Sequence, residues 1–292
     1  MEKVLSFDIG GTSIKYGIVT TDGNVLWKSE MDTEAELGAE NILYKIKEKI
    51  KKVKESEEIL GVAISTAGIV DSENGVIAEA NGTIKGYKGF RIKEVIEKEF
   101  DLRTTVENDV NCAALGELWR GAARGKNNVF CITIGTGVGG AVIINGKILK
   151  GNTFSTGEIG YLNIGNGKLD DLGSTSGIVS RVAKRKEIDI NDINGKIIFD
   201  LAKKGDKISI EEIDNMIDKI STTISIIAYI INPEVIVLGG GITKQKDYLL
   251  PKFKESTEKK VIPYIYDRLE IRLAELENTA GMIGAVYNFL NK

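Results

Sequence analysis

Residues 8–17 read DIGGTSIKYG, and residues 133–142 read TIGTGVGGAV. In each stretch an apolar, strand-like run enters a glycine-rich turn, and a second strand-like run leaves it. Successive backbone N–H groups in such a turn can hold phosphate oxygens, because glycine carries no side chain that would block their approach. Two such turns in one chain favour a polyphosphate held between two related lobes, as in a nucleotide-dependent phosphotransferase.

The composition is that of an ordinary soluble globular protein. The 292 residues are 42% hydrophobic and 28% charged, and the formal net charge of −3 gives no basic excess that would favour nucleic acid. The two cysteines, Cys112 and Cys131, form no CxxC pair, and the longest apolar stretch, residues 224–231, is too short to span a membrane. Since the sequence also enters a strand without a signal segment, we expect a cytoplasmic protein with neither a membrane nor a nucleic-acid partner.

Histidine is absent from the sequence. This absence excludes histidine-based acid–base catalysis, Ser–His–Asp triads and metal ligation by imidazole. Any proton transfer must therefore use a carboxylate, a lysine or a tyrosine.

The pattern of apolar residues predicts an α/β fold in two related halves. The first half opens with three strands near residues 3–8, 13–20 and 24–29, and the second half repeats this opening from Asn127. Strands and helices alternate after each opening, which is typical of α/β proteins. Because each half begins with a hairpin, the layout differs from a plain doubly wound sheet. We expect two duplicated α/β domains with a cleft between them.

Three other interpretations of the glycine motifs are weaker. A dinucleotide-binding fingerprint needs a helix directly after the glycines and an acidic residue about 20 positions later, whereas a strand-like run follows here and Ser155 stands at that distance. A Walker A loop is excluded, because the sequence has no Gly-Lys-Ser or Gly-Lys-Thr. Ordinary hairpin turns would explain one motif, but they explain two matched motifs and the glycine triplet at 239–241 poorly.

Together with three further segments, the two motifs resemble the ROK family of sugar kinases in the actin–hexokinase superfamily. Residues 106–122, VENDVNCAALGELWRGA, are similar to the catalytic segment of that family. Residues 156–161, TGEIGY, resemble its sugar-binding segment, and residues 236–242, IVLGGGI, resemble its adenosine-side motif. The resemblance covers essentially the whole chain, and the segments are specific in combination.

The resemblance implies a kinase that transfers the γ-phosphoryl group of ATP to the 6-hydroxyl of a hexose. It implies two duplicated actin/hexokinase-like, ribonuclease-H-like domains at residues 1–117 and 118–280, with a last helix at 281–292 packed back on the first. ATP and Mg²⁺ would be the cofactors, a small sugar the substrate, and a homodimer the assembly. A regulatory sugar-binding protein of the same family and a polymerising actin-like ATPase are the non-kinase alternatives.

Residue roles follow from the same resemblance. Asp109 would be the general base that accepts the proton of the sugar hydroxyl, although its position also fits an N-cap. Asp8 would hold Mg²⁺ through water. Lys15 could bind phosphate, but it lies inside a predicted strand and is left out of the catalytic set. The residues expected to bind ATP and its phosphates are Asp8, Gly10, Gly11, Thr12, Gly135, Thr136, Gly137, Gly239 and Gly240.

The expected sugar site departs from the family pattern. Tyr161 stands where most members have a histidine that binds both a structural zinc ion and the sugar, and residues 163–171, NIGNGKLDD, replace the family's cysteine cluster. We therefore expect no structural zinc. Asp170 stands where the family has a sugar-binding glutamate. The full expected sugar-binding set is Asn81, Asn108, Asp109, Glu158, Tyr161 and Asp170.

These departures resemble those of certain bacterial N-acetylmannosamine kinases. N-acetylmannosamine, phosphorylated to N-acetylmannosamine 6-phosphate in sialic acid breakdown, is therefore the leading candidate substrate. Glucokinase, fructokinase and β-glucoside kinase activities stay open, because loops that the sequence does not place would build the pocket around the 2-position of the sugar.

Overall fold

The computed structural model describes residues 1–80 and 82–292. The strands are β1 (Lys3–Ile9), β2 (Ser13–Thr20), β3 (Val25–Asp32), β4 (Val62–Thr66), β5 (Ile69–Asp71), β6 (Val76–Glu79), β7 (Thr104–Asn108), β8 (Val129–Ile134), β9 (Val138–Ile144), β10 (Lys147–Ile148), β11 (Val235–Gly239) and β12 (Glu270–Leu273). The α-helices are α1 (Ala39–Lys54), α2 (Ile92–Phe100), α3 (Asp109–Arg120), α4 (Leu169–Gly173), α5 (Thr175–Lys186), α6 (Gly195–Lys203), α7 (Lys207–Ile230), α8 (Lys246–Glu258), α9 (Pro263–Tyr266) and α10 (Ala280–Leu290).

The chain packs into two compact units. One comprises residues 1–125, 148–156 and 276–292, and the other comprises residues 126–147 and 157–275. The predicted domain limits at 117/118 and 280/281 stay a prediction. In the part of the chain that the structure describes, no helix combines the length and apolarity that crossing a bilayer requires.

The first unit is built on a five-stranded sheet in the order β3–β2–β1–β4–β7. The hairpin strands β1, β2 and β3 pair antiparallel, and β1, β4 and β7 run parallel. Alternate residues of β1 face opposite sides of the sheet: Leu5 and Phe7 pack in one apolar core with α1, while Val4 packs in another with α10. The sheet is therefore covered by helices on both faces.

Helices α3 and α10 pack closely in this unit because small residues line their contact. A Cβ atom on Gly284 would lie 1.6 Å from the carbonyl oxygen of Cys112, and one on Gly116 would lie 2.5 Å from that of Ala280. These two positions require glycine. The close contact fixes α3, the helix that carries Asp109.

The second unit repeats the plan with a sheet in the order β10–β9–β8–β11–β12. Strands β8 and β9 form the opening hairpin, and β8, β11 and β12 run parallel. The long helix α7 buries Ile217, Ile220 and Ile224 in the core of this unit. The two sheets share one strand order, so the predicted duplication of an α/β domain is confirmed. The small hairpin of β5 and β6 was not predicted from the sequence.

Candidate active site

The first glycine loop follows β1, where the Asp8 carboxyl group lies next to two strands. The Ser65 hydroxyl on β4 donates a 2.6 Å hydrogen bond to Asp8 Oδ1, and Lys15 Nζ on β2 lies 3.9 Å from Oδ2. Burial raises the pKa of Asp8, and the Ser65 hydrogen bond and the Lys15 charge oppose that rise. The backbone of α10 also approaches closely, since a Cβ on Gly281 would lie 2.7 Å from the carboxyl carbon. Asp8 is thus a largely buried acid at the base of the loop.

Thr33 holds the first loop from one side. Its hydroxyl donates a 2.7 Å hydrogen bond to the Gly10 carbonyl, and its N–H donates a 2.9 Å bond to the Thr12 carbonyl. The Gly10 N–H is used within the loop, where it donates to the Ser13 carbonyl at 3.0 Å. Gly11 and Thr12 are exposed. The exposed part of the loop is therefore the part that can meet a ligand.

The N-cap of α3 is Asn108, which corrects the alternative that Asp109 caps this helix. Asn108 Oδ1 accepts hydrogen bonds from the N–H groups of Val110 and Asn111, at 2.9 and 3.0 Å. Its Nδ2 donates to Asp109 Oδ1 and to the Gly68 carbonyl, each at 2.9 Å. Asp109 is the first helical residue, and its Oδ1 also accepts from the Val110 N–H at 2.9 Å. Asn108 therefore orients the Asp109 carboxylate.

Tyr87 is a neighbour of this site that the sequence did not reveal. It is buried, and its hydroxyl lies 2.5 Å from Thr66 Oγ1 at the end of β4. Burial raises the pKa of Tyr87 to about 12, with a further contribution from the Asp109 charge, while the Thr66 contact opposes the rise. Tyr87 therefore stays a neutral phenol near Asp109. It lies in a glycine- and asparagine-rich stretch whose sequence gave no signal of a buried aromatic residue.

The second glycine loop connects β8 to β9 and is held by residues of α4 and α5. The Gly135 N–H donates to the Gly137 carbonyl at 2.9 Å, and the Gly135 carbonyl accepts from the Thr175 N–H at 2.9 Å. The Val138 N–H donates a 2.6 Å bond to Asp170 Oδ1. A Cβ atom on Gly137 would lie 3.0 Å from that oxygen. Asp170 therefore lies directly against the loop and holds its outgoing end.

Glu158 and Tyr161 lie beside Asp170 in the same unit. The pKa of Glu158 is raised, first by partial burial of its carboxyl group and then by the charge of Asp170. Tyr161 is 61% exposed, and the Lys168 ammonium lies 5.7 Å from the centre of its ring. A Cβ on Gly160 would come within 2.4 Å of Asp170 Oδ1. The segment between Glu158 and Tyr161 therefore packs on Asp170.

Residues 163–168 form a small turn closed by the backbone. Asn163 and Lys168 form a β-bridge, and the Ile164 N–H donates to the Gly167 carbonyl at 2.9 Å. The Ile164 side chain is 8% exposed and belongs to the apolar core. Within residues 1–80 and 82–292, no group of three or more Cys, Asp or Glu side chains is placed to hold a metal ion. Backbone hydrogen bonds and the buried Ile164 side chain thus hold this turn in place.

A cavity of about 730 Å³ opens beside the second glycine loop. Apolar side chains form much of its wall, and hydroxyl, amide and ammonium groups lie among them, a composition typical of a small-molecule site. Gly240, at φ +93°, does not line the cavity, because it packs against the Ile134 carbonyl, 2.3 Å from where its Cβ would stand. The lining residues are Gly135, Thr136, Thr175, Ser176, Val179, Ile190, Ile193, Asn194, Gly195, Lys196, Phe199, Gly241, Ile242, Lys244 and Gln245.

The structure thus places the expected residues in two groups. The first unit holds the first loop together with Asn108 and Asp109, and the second unit holds the second loop with its cavity and the segment from Glu158 to Asp170. Of the glycine triplet, Gly241 lines the cavity. Gly239 and Gly240 were the two that the sequence predicted to bind ATP. The cavity wall supplied by α5 and α6 was not predicted. Asn81 lies outside the described residues.

Known proteins of similar sequence and structure place the chain in one family. The ROK family matches residues 4–292. A glucokinase of Halalkalibacterium halodurans is 33% identical over 95% of this chain and 92% of its own. The Listeria monocytogenes protein Lmo2764, for which N-acetylmannosamine kinase activity has been suggested, has a TM-score of 0.89 at 30% identity over 99% and 98% of the two chains. A Streptomyces griseus ROK glucokinase in complex with glucose and AMPPNP has a TM-score of 0.84 at 25% identity, with 98% of each chain covered. The chain belongs to the ROK family and is an ATP-dependent sugar kinase.

Proposed function

We propose that this kinase phosphorylates N-acetylmannosamine at its 6-hydroxyl, with Asp109 as the general base. The observation that carries the chemical assignment is the Asp109 carboxylate at the start of α3, held there by Asn108 and the Val110 N–H. A fixed carboxylate can accept the hydroxyl proton while the sugar oxygen attacks the γ-phosphorus. The new O–P bond then forms as the bond to ADP breaks.

The position of Asp109 favours its charged form. The N-terminus of a helix carries a partial positive charge, which stabilises an anion in the first turn. The anionic carboxylate is the form that can accept the proton of the sugar hydroxyl. Correct placement of the reacting groups supplies a large share of the rate in phosphoryl transfer. The hydrogen bonds from Asn108 serve that placement.

Asp8 is the residue that would hold Mg²⁺. Its carboxyl group offers the oxygen ligands that this ion prefers, and Mg²⁺ usually keeps several waters and takes further ligands from substrate phosphates. Asp8 alone would be enough to hold an Mg²⁺ ion whose other ligands are water molecules and phosphate oxygens. One carboxyl group would not be enough to bind the ion through protein ligands alone. The bound ion would neutralise charge on the β- and γ-phosphates.

We expect each glycine loop to offer groups to the phosphates of ATP, and the cavity to bind the adenosine moiety. Gly11 and Thr12 in the first loop and Thr136 in the second are exposed, so they are available to phosphate oxygens. The adenosine moiety would occupy the cavity, whose wall combines Ile193, Phe199 and Ile242 with polar groups. The AMPPNP complex of the related glucokinase supports ATP as the phosphoryl donor.

The substrate assignment rests on Glu158, Tyr161 and Asp170. A sugar site of carboxylates and a phenol, without imidazole, would resemble that of certain bacterial N-acetylmannosamine kinases. The structural likeness to Lmo2764 supports the same sugar. Glucose is the second candidate, because a glucokinase is among the relatives. We also propose that the protein is a homodimer, which size-exclusion chromatography with light scattering would test.

A coupled ATP assay tests the substrate. N-acetylmannosamine, glucose, N-acetylglucosamine, fructose, mannose and a β-glucoside should be compared by kcat/KM at saturating MgATP, with the product identified by phosphorus NMR. We expect the highest value for N-acetylmannosamine and a phosphate at its 6-position. A higher kcat/KM for another sugar would reassign the substrate and leave the role of Asp109 intact.

Asp109→Asn tests the general base. Loss of a general base lowers turnover by roughly a hundredfold or more, and we expect this loss with sugar binding retained in titration calorimetry. Asp101→Asn is a matched control, because Asp101 is an exposed C-cap of α2 in the same unit and its backbone at φ +52° suits asparagine equally well. Near wild-type turnover of Asp109→Asn would reject the assignment.

A further inference from the structure

We propose that Arg181 is a positioning residue that holds the second glycine loop in shape through helix α4. This role rests on the proposed binding of ATP phosphates by that loop. Arg181 lies on α5, away from the loop itself. All the groups concerned belong to the unit of residues 126–147 and 157–275, so the hydrogen bonds that link them lie within one compact unit.

The corner between α4 and α5, residues 170–175, holds the loop at both ends. At the outgoing end, the Val138 N–H donates a 2.6 Å hydrogen bond to Asp170 Oδ1 on α4. At the incoming end, the Gly135 carbonyl accepts a 2.9 Å bond from the N–H of Thr175, the first residue of α5. The shape of the loop therefore depends on how firmly this corner is held.

The end of α4 needs hydrogen-bond donors from outside the helix. The last carbonyl groups of any helix have no partner within it, and α4 is only five residues long. In a continuous helix the Thr175 N–H would donate to the Asp171 carbonyl, four residues earlier. Here it donates to Gly135 instead. The Asp171 carbonyl therefore accepts from a side chain.

Arg181 supplies that side-chain donor. Its Nη1 donates a 2.5 Å hydrogen bond to the Asp171 carbonyl, and its Nη2 donates a 3.1 Å bond to the Leu172 carbonyl. A Cβ atom on Gly177 would lie 2.1 Å from the Asp171 carbonyl oxygen, so glycine allows α5 to approach α4 this closely. Because a guanidinium group presents several donors in one rigid plane, it can bind both carbonyl groups at once. Arg181 thus joins the end of α4 to α5.

Glu212 on α7 holds the guanidinium group of Arg181 in place. Glu212 is 5% exposed, and its Oε2 accepts a 2.8 Å hydrogen bond from Arg181 Nε. Its Oε1 accepts a 2.9 Å bond from Arg185 Nη1. Burial raises the pKa of Glu212, but the hydrogen bonds from the two arginines outweigh it, so the pKa is lowered. Glu212 is thus an anion that both arginines share.

Arg185 offers a matched comparison one helical turn further along α5. It binds Glu212 as Arg181 does, and its Nη2 also donates to Glu211 at 2.6 Å. Within the part of the chain that the structure describes, none of its hydrogen bonds reaches α4. Removal of either arginine leaves Glu212 paired with the other, so neither change leaves that buried charge without a partner. The two variants therefore differ in the link to α4.

The decisive experiment compares Arg181→Met with Arg185→Met in the intact protein by amide hydrogen exchange, measured by NMR. Exchange of a backbone N–H reports the local opening of its hydrogen bond. In Arg181→Met we expect the N–H groups of Val138 and Thr175 to exchange about tenfold faster or more, the scale of one lost hydrogen bond to a charged group. In Arg185→Met they should exchange at the wild-type rate.

Steady-state kinetics test the consequence for ATP. Loss of a residue that supports a binding group typically costs about 10- to 100-fold in affinity or activity. We expect Arg181→Met to raise the KM for MgATP about tenfold, at the lower end of that range, and Arg185→Met to leave it unchanged. The Tm should fall by similar amounts, because each variant removes one partner of Glu212. Unequal KM at equal Tm would separate positioning from a general loss of stability.

Arg181→Lys is a second variant in case Arg181→Met does not fold. Its ammonium keeps the positive charge beside Glu212 but lacks the fork that reaches both carbonyl groups, so the KM for MgATP should still rise. Wild-type exchange of the Val138 and Thr175 N–H groups in both Arg181 variants, or equal rises in KM for Arg181→Met and Arg185→Met, would overturn the proposal. Faster exchange in Arg181→Met with an unchanged KM for MgATP would instead refute the phosphate role of the loop.

Discussion

The two glycine loops share a backbone plan but differ in where their carboxylates come from. Asp8 and Thr133 occupy equivalent places, one residue before the ends of β1 and β8. The first loop therefore carries an acid on its own strand, supported by the Ser65 hydroxyl. The second loop has a threonine there, and its acid, Asp170, comes from α4 and binds the Val138 N–H. One duplicated backbone thus supports two different electrostatic environments.

The difference indicates two different uses of a carboxylate. Asp8 has a raised pKa because burial outweighs its hydrogen bond and its lysine neighbour, so its charge is unfavourable until a cation arrives. Asp170 instead accepts a backbone hydrogen bond, which a neutral amide oxygen could also accept. The first loop is therefore suited to a metal-bound phosphate, and the second is suited to hold a fixed shape beside the cavity.

Asp8→Asn should produce the largest contrast between the loops. Removing an acid that holds a metal through water typically lowers activity by about 10- to 100-fold, and we expect a loss in that range in kcat/KM for MgATP. Asp170→Asn should change kcat/KM for MgATP much less, because its amide oxygen can still accept from Val138. Steady-state kinetics at varied MgATP would measure both.

Asp8→Asn should stabilise the folded protein although it lowers activity. The folded-state pKa of Asp8 is raised, so the ionised form at neutral pH is less favourable in the folded protein than in the unfolded chain. Asp8→Asn removes that charge and should raise the Tm while activity falls. A lower Tm together with lower activity would mean that Asp8 is structural, and equal losses in Asp8→Asn and Asp170→Asn would remove the distinction between the loops.

The parts of this comparison that sequence could predict are local ones. Apolar and polar side chains alternate along a half-buried strand, and glycine marks the turns. The hairpins around both glycine loops were therefore predicted, and the predicted limits of β1 and β2 were correct to within one residue. The N-cap of α3 was not resolved, because Asn108 and Asp109 are adjacent and both residue types cap helices well. Tyr87 and the α5–α6 cavity wall were missed since they depend on contacts between residues far apart in sequence.

Gly135→Ala tests the second loop with little disturbance of the fold. No atom lies within 4 Å of an added Cβ, whereas in the first loop a Cβ on Gly10 would meet the Ser13 carbonyl at 3.1 Å. If phosphates occupy the space beside Gly135, an added methyl group costs at least about 1 kcal/mol of overpacking, or about a fivefold rise in KM for ATP. We expect that rise with an unchanged Tm, and a lower Tm for Gly10→Ala. An unchanged KM for ATP would place the phosphates elsewhere.

The smallest effect is the pH dependence of sugar binding through Glu158. Its pKa is raised by partial burial and by Asp170, so the carboxylate is lost at a higher pH than in an ordinary glutamate. The KM for the sugar should therefore rise as the pH falls through this raised pKa. Asp170→Asn removes one of the two causes and should move the rise to lower pH, while Asp171→Asn, an exposed neighbour on α4, should leave it in place. If the Asp170→Asn profile coincides with that of the wild-type protein, the two acids are not coupled in sugar binding, and Asp170 serves the second loop alone.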